Sequence, residues 1–560
     1  MPDSAEAVFV ALAGATLEGL LERSPEWATE VGDHRFDDLL TIGSAAYHDE
    51  AGRWCAARLA EVRALDLTQL PPQLRADAQI LANHLDLIHF TTCDLREHEW
   101  NPMQANPGRA IYLQLAREFA PLPQRLRGVA RRLALVPQAL TAARSVAGAM
   151  PRIHLETALG QFAGTAHLIG DELDRLLADA PQVPADVRTE LLAARGTAIA
   201  AIEEHRGWLR QRLADGDRDG GFRDPRLGAQ AHARKLGMVT ETGIDAVTLV
   251  SRAQADLARV TEEIKQTAAA LTGEHPQADG LVRRALDQLA ADAPSDATIL
   301  GLVRAAFDVE RQFVTEHELV TTFDDPVEVI EMPEVDRGVA VAYCDAPGPL
   351  ETTATATFVA VSPTPKDWPS QRVRSFYREY NLHMVHNLMV HEGMPGHVLQ
   401  LQHSRRFTGA TRVRQALRSG SFVEGWAVYA ERLMAEHGYP GPANPLAIRM
   451  QQQKMQLRMI INSILDAGVH RDGMTEAAGM ALLTGPGFQE EGEAAGKWRR
   501  ALLTSAQMST YYAGYTDVND LAGELRRAHS GWSQRQLHDA MLAHGSPAVR
   551  HLRPLLAASQ

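Results

Sequence analysis

His391-Glu392-Gly393-Met394-Pro395-Gly396-His397 is the stretch on which the reading of this 560-residue chain turns. Apolar residues recur at helical spacing from about Ser370 onward, so the stretch is read as part of a helix. On a regular helix, side chains four residues apart point within about 40° of each other, whereas side chains six apart diverge by roughly 120°. His391 and His397 are six apart. They meet only if the helix is distorted between them. Pro395 withholds a backbone donor and Gly396 loosens the backbone, so the distortion is written into the stretch itself. Two histidines around a glutamate then offer two metal donors and a base. The competing reading is a helix that stops at Pro395 and two unrelated histidines.

A second segment, Phe422-Val423-Glu424-Gly425-Trp426-Ala427-Val428-Tyr429-Ala430-Glu431, favours the metal. It reads as a buried helix whose two acids, Glu424 and Glu431, are seven residues apart and share a face. Buried carboxylates are costly unless paired or bound to a metal. Glu424 can supply the third ligand of a His-His-Glu site and leave the fourth position to water. Glu431 reads equally well as a surface residue or as one that supports the site.

Farther along, Arg458, Asn462, Asp466 and His470 follow at four-residue intervals within an apolar helix. A polar stripe with apolar flanks reads as the lining of a cleft. Ser509-Thr510-Tyr511-Tyr512-Ala513-Gly514-Tyr515 is, from its residues alone, a packing cluster. A tyrosine hydroxyl there can also donate to an oxyanion. His383, His386 and His403 are read as packing or supporting residues.

Working outward, residues 1–319 carry a helical period, including Arg125 to Val146 with one apolar stripe and a basic face read as solvated. Breaks are expected at Asp215 through Gly221, at Gly273 to Pro276 and at Ala346 to Pro349. Residues 320–365 are β-rich: Val327 to Ile330, Val339 to Tyr343 and Thr355 to Val361 read as a small inserted sheet. Residues 366–560 return to helix and carry the site. The expected architecture is mainly α, a large helical body with a deep cleft and a small sheet on one wall.

The hydrophobic content of 45% supplies a large core. A net charge of −14, with no long basic run, argues against nucleic acid as a partner. The three cysteines are scattered and lack metal-ligand spacing, which fits a reducing compartment. The amino-terminal apolar run is broken by Glu18 and Glu22, and no run is long enough to span a bilayer. A cytoplasmic location and no membrane partner are the expectations.

Together these segments resemble the bacterial domain-of-unknown-function family 885, and the first is similar to the zincin signature of two zinc-binding histidines around a water-activating glutamate. The resemblance rests on His391 to His397 with Leu399-Gln400, Glu424 to Glu431, Asp466-Ala467-Gly468-Val469-His470 and Tyr511-Tyr512-Ala513-Gly514. Weaker echoes lie at Gly32 to Asp38 and Arg226-Leu227-Gly228. The family looks like a distant relative of the helical zinc peptidases of the thimet-oligopeptidase and angiotensin-converting-enzyme groups, which implies a zincin-like core. The resemblance implies one zinc per chain on His391, His397 and Glu424, with Glu392 as base and Tyr511 and His470 as transition-state donors. Glu431, Asp466, Arg458 and Tyr512 would stand behind the ligands or against the substrate. The chain departs from the family pattern at Val398 and at Ser505 to Met508. The implied activity is hydrolysis of peptide or amide bonds in short peptides. The alternatives are a dedicated small-molecule amidohydrolase and a catalytically silent peptide binder. The strand Thr355 to Val361 is expected to pair with an extended substrate.

Overall fold

The computed structural model describes residues 4–332, 341–353, 355–365, 368–442 and 444–558. The protein is mainly α with a small three-stranded sheet. It packs as two compact units. One comprises Met1–Pro225, Pro347–Thr355 and Gly409–Ala416, and the other Arg226–Ala346, Ala356–Thr408 and Leu417–Gln560. The division at Pro225 falls within the stretch read as one helical region up to Leu319. Periodicity reports that a helix has an apolar face but not which partner covers it.

The first unit is built on helices α1 (Leu122–Val146) and α2 (Ala185–Asp219), which pack on each other. Leu126, Val129, Leu133, Val136 and Leu140 form the buried stripe of α1. Its basic face is not wholly solvated. Arg132 is buried and donates to Leu39 O at 2.8 Å and Phe36 O at 3.2 Å, while buried Arg125 donates to Gln114 O and Leu115 O, each at 2.9 Å. Turns and helix ends leave carbonyls that need donors once covered, and these guanidinium groups provide them. The break expected from Asp215 falls only at the end of α2, which continues through Gly216 to Asp219.

The second unit holds α3 (Ala246–Thr272), α4 (Ile299–Glu316), β1 (Val327–Glu331), β2 (Ala342–Asp345) and β3 (Thr357–Val361). It continues with α5 (Leu382–Glu392), α6 (His397–Arg406), α7 (Gly420–Glu436), α8 (Pro445–Asp472), α9 (Glu491–Leu503) and α10 (Ser509–Ala528). Helix α5 starts at Asn381, whose side chain accepts from the His383 and Met384 amides, and its residues from His383 to Glu392 are all buried. It packs against α4, α7, α8 and β2. Among the described residues no helix is long and apolar enough to cross a membrane.

Strand order is β1-β3-β2, with β1 parallel and β2 antiparallel to β3. Val359 of β3 pairs with Val329 on one side and Cys344 on the other. Both edges of β3 are therefore taken by the sheet. The expectation that Thr355 to Val361 pairs with a substrate is corrected: alternating apolar residues mark a strand without saying whether it is central. The expected strand at Val339 to Tyr343 begins at Ala342 in the structure, and Val339 and Ala340 lie outside the described residues.

Candidate metal centre

Helix α5 does not bend through the histidine stretch; it stops at Glu392, and α6 begins afresh at His397. The helix thus ends, as in the competing reading, but the two histidines are not unrelated, because the turn between the helices brings them together. The Met394–Pro395 peptide is cis. The Gly396 amide returns to Val390 O at 3.0 Å, and a Cβ on Gly396 would overlap the His391 carbonyl oxygen, so glycine is required there. Trp426 of α7 donates its indole N–H to Pro395 O at 2.8 Å and ties the loop to the helix that bears Glu424.

This turn brings the imidazoles of His391 and His397 edge to face, with ring centroids 4.7 Å apart. Glu424 Oε2 lies 3.4 Å from His391 Nε2 and 3.5 Å from His397 Nε2. One donor atom from each of the three residues falls within 4.8 Å of the others. The position of Glu424 depends on a close crossing of α7 and α10. A Cβ on Gly425 would overlap the Gly514 backbone, and one on Gly514 would overlap Ser421 O. Two glycines let the backbones touch and carry Glu424 and Tyr511 to the same place.

Whether these residues fit a zinc ion is testable on their own geometry. Tetrahedral coordination with bonds of about 2.0–2.2 Å separates neighbouring donor atoms by roughly 3.4 Å, close to the two distances seen. Glu424 Oε2 is buried and completes no hydrogen bond among the described residues. The two imidazoles face that oxygen at ion-pair distance without completing a hydrogen bond, and a cation among the three would satisfy it more fully. Burial by itself would raise the Glu424 carboxyl, but the two histidines outweigh it and hold the group well below the usual range. Burial disfavours a charged His391, and Glu424 and Glu431 overcome that and raise it well above the ordinary value. Such mutual stabilisation marks a place made for positive charge.

Glu431 sits behind the site, 2% exposed. His391 Nδ1 donates to its Oε1 at 2.7 Å and Asn387 Nδ2 to its Oε2 at 2.8 Å. Both oxygens are occupied, so Glu431 orients the imidazole and leaves Nε2 facing Glu424. His397 Nδ1 has no partner among the described residues. Glu392, at the end of α5, is buried, which raises its carboxyl; its Oε2 accepts the Cys344 amide of β2 at 3.0 Å. The sheet thus steadies the candidate base through backbone, which side-chain patterning along the sequence does not reveal.

Tyr511 accepts from Arg500 Nη2 at 3.0 Å, and its ring lies 5.7 Å from that guanidinium. Burial and the nearby Glu424 charge raise its phenol, which stays protonated and able to donate. Tyr512 points elsewhere: it is fully buried and donates to Asp256 on α3 at 2.7 Å. It is not part of the site.

His470 is corrected from its expected role. Its Nδ1 accepts from the Leu227 amide at 3.3 Å, and its Nε2 donates to Ala501 O and Thr504 O at 2.9 and 2.8 Å. With both nitrogens taken by backbone, no donor is left for an oxyanion. Asp466 is likewise structural: it accepts from Ser509 Oγ, the Ala506 amide and His232 Nε2, and so anchors the start of α10. Arg458 pairs with Glu493 and with the Tyr380 hydroxyl. Asn462, Asp466 and His470 are buried, so the stripe on α8 faces protein. His383, His386 and His403 bond to Asp292, Tyr439 and Thr321 O respectively. A cavity of about 420 Å³ lined by Phe307, Phe323, Val327, Val329 and Met394 touches the loop but none of the metal donors.

Asn387, Trp426, Arg500 and the Cys344 amide were not singled out in the sequence. Asn387 is one turn before His391 and was open to detection by spacing; the others become neighbours only through tertiary packing. Over 98% of this chain and 99% of its own, a candidate lipoprotein of unknown function from Shewanella oneidensis is 28% identical, with a TM-score of 0.81. A candidate lipoprotein from Colwellia psychrerythraea shares the fold, with a TM-score of 0.78 and 14% identity over 99% and 100% of the two chains. Among curated proteins none matches. The model of the family described as bacterial protein of unknown function (DUF885) matches residues 25–556, and the chain belongs to that family.

Proposed function

We propose that the protein is a zinc-dependent hydrolase of peptide or amide bonds that acts on short peptides. The observation that carries this reading is the convergence of the His391 and His397 imidazoles on the buried Glu424 Oε2, which completes no hydrogen bond among the described residues, with Glu392 beside them. Zinc held by these three residues supplies Lewis acidity toward water and a carbonyl, and lowers the pKa of water toward ~7. Glu392, buried and steadied by the Cys344 amide, takes the proton of the attacking water and returns it to the leaving amine. Tyr511 donates to the carbonyl oxygen as negative charge develops, and Arg500 holds that hydroxyl in place. Glu431 keeps His391 in the tautomer that presents Nε2.

The test is a mixed library of short peptides incubated with the purified protein, with zinc content measured on the same sample. The expected result is close to one zinc per chain and cleavage that chelation stops and added zinc restores. Cleavage that survives complete metal removal would overturn the reading. Tyr511→Phe removes only a hydroxyl, so kcat should fall about 10²–10³-fold with zinc content kept. Tyr512→Phe should lower the thermal midpoint through its lost bond to Asp256 and change kcat far less. The reverse pattern in kinetic and melting measurements would show that the wrong tyrosine has been assigned.

A further inference from the structure

Helix α9 presents Glu493, Lys497 and Arg500 at intervals of four and three residues, which sets them along one face. Lys454 and Arg458 of α8 belong to the same group of charges. Lys454 pairs with Glu379 at 2.9 Å, and Arg458 pairs with Glu493. Among the described residues, that leaves Lys497 and Arg500 without a paired acid. Arg500 donates to Gln507 Oε1 at 2.8 Å and to the Tyr511 hydroxyl at 3.0 Å, both neutral. Lys497 is only 7% exposed and makes no hydrogen bond or ion pair among the described residues.

An amine this deeply placed is costly to charge unless an acid comes to it. Burial pushes Lys497 well below its ordinary value, and Arg458 and Arg500 push it the same way. The group also has a direction. Arg500 and Tyr511 both lie in the field of Glu424, so the excess positive charge borders the candidate metal centre.

We propose that Lys497 and Arg500 form an anion subsite that binds the free carboxylate of the substrate beside the Tyr511 hydroxyl. The inference rests on the hydrolase reading for the reaction, and it narrows the substrate class. The carboxylate satisfies the Lys497 ammonium with a charge-assisted bond and balances the unpaired guanidinium of Arg500. Because Arg500 also holds Tyr511, the carboxylate sits next to the scissile amide. The substrates are therefore short peptides cut near their carboxyl end, or N-acyl amino acids, and internal bonds of long chains are excluded.

The experiment has two arms on the zinc-loaded protein. In the first, N-acetylated dipeptides and tripeptides are offered as free acids and as carboxyl-terminal amides. The acids should be cleaved roughly 10- to 100-fold more efficiently, the worth of one bond to a charged group. In Lys497→Met the ratio of acid to amide should collapse toward one, through KM for the acids. In the second, calorimetry measures binding of N-acetylalanine and N-acetylalaninamide, which needs no turnover. Preferential binding of the acid, lost in Lys497→Met, supports the subsite even if no peptide is cleaved, in which case only the hydrolase reading fails. Equal treatment of acids and amides in both arms overturns the subsite, as does a preference that survives in Lys497→Met. Arg500→Gln is the second variant if Lys497→Met does not fold, and loss or survival of the preference there decides in the same way.

Discussion

Glu392→Gln should keep the metal, the fold and substrate affinity, and lose hydrolysis by about 10²–10⁴-fold in kcat. The two side chains have nearly the same shape, and the Cys344 amide that now donates to Glu392 Oε2 finds an equivalent acceptor in the glutamine carbonyl. What changes is basicity. An amide cannot take a proton from water, and the two other carboxylates of the candidate centre are committed: Glu424 faces the two imidazoles, and both oxygens of Glu431 are engaged by His391 and Asn387. Burial raises the Glu392 carboxyl, which makes it a better proton acceptor than an exposed glutamate. The measurement is steady-state kinetics with zinc content on the same preparation. Near-normal turnover with full zinc would mean that Glu392 is not the base.

The second large effect is on the metal itself. His397→Ala should bring zinc from close to one per chain to near zero at the same chelator concentration. Losing a group that merely orients a ligand costs about 10–100-fold in affinity, and losing a ligand outright costs more. The fold should survive. His397 is the first residue of α6, where alanine is well tolerated, and the loop before it is held by Trp426 and by the Gly396 amide. Elemental analysis and circular dichroism check both halves of the expectation. Full zinc retention in a folded His397→Ala protein would show that the six-residue spacing has no metal role.

Pattern-reading reached some of this arrangement because the relevant forces are local. The helical period, the β-rich interval around Val327 to Val361 and the Pro395-Gly396 interruption all follow from neighbour-to-neighbour sterics and apolar spacing. Glu424 was legible because an acid among Phe422, Gly425 and Trp426 needs a reason to turn inward, and its side chain is 21% exposed. Asp466 and His470 misled for the same cause: a polar stripe on α8 is visible in sequence, but backbone partners at Leu227, Ala501 and Thr504 are not.

The sequence by itself determined a mainly helical chain, a small sheet and a candidate trio of His391, His397 and Glu424. Only the tertiary structure decided that α5 ends where the motif bends, that β3 is the central strand and that Tyr512 is committed to Asp256. It also decided that Glu431 serves His391, and that Lys497 is buried without a partner. The physical reason is the same in each case. Periodicity records which residues share a face, because that depends on rise and twist along one element. Which residue on a face meets a carboxylate, a carbonyl or nothing depends on how elements cross, and here that is set by contacts as particular as Gly425 against Gly514.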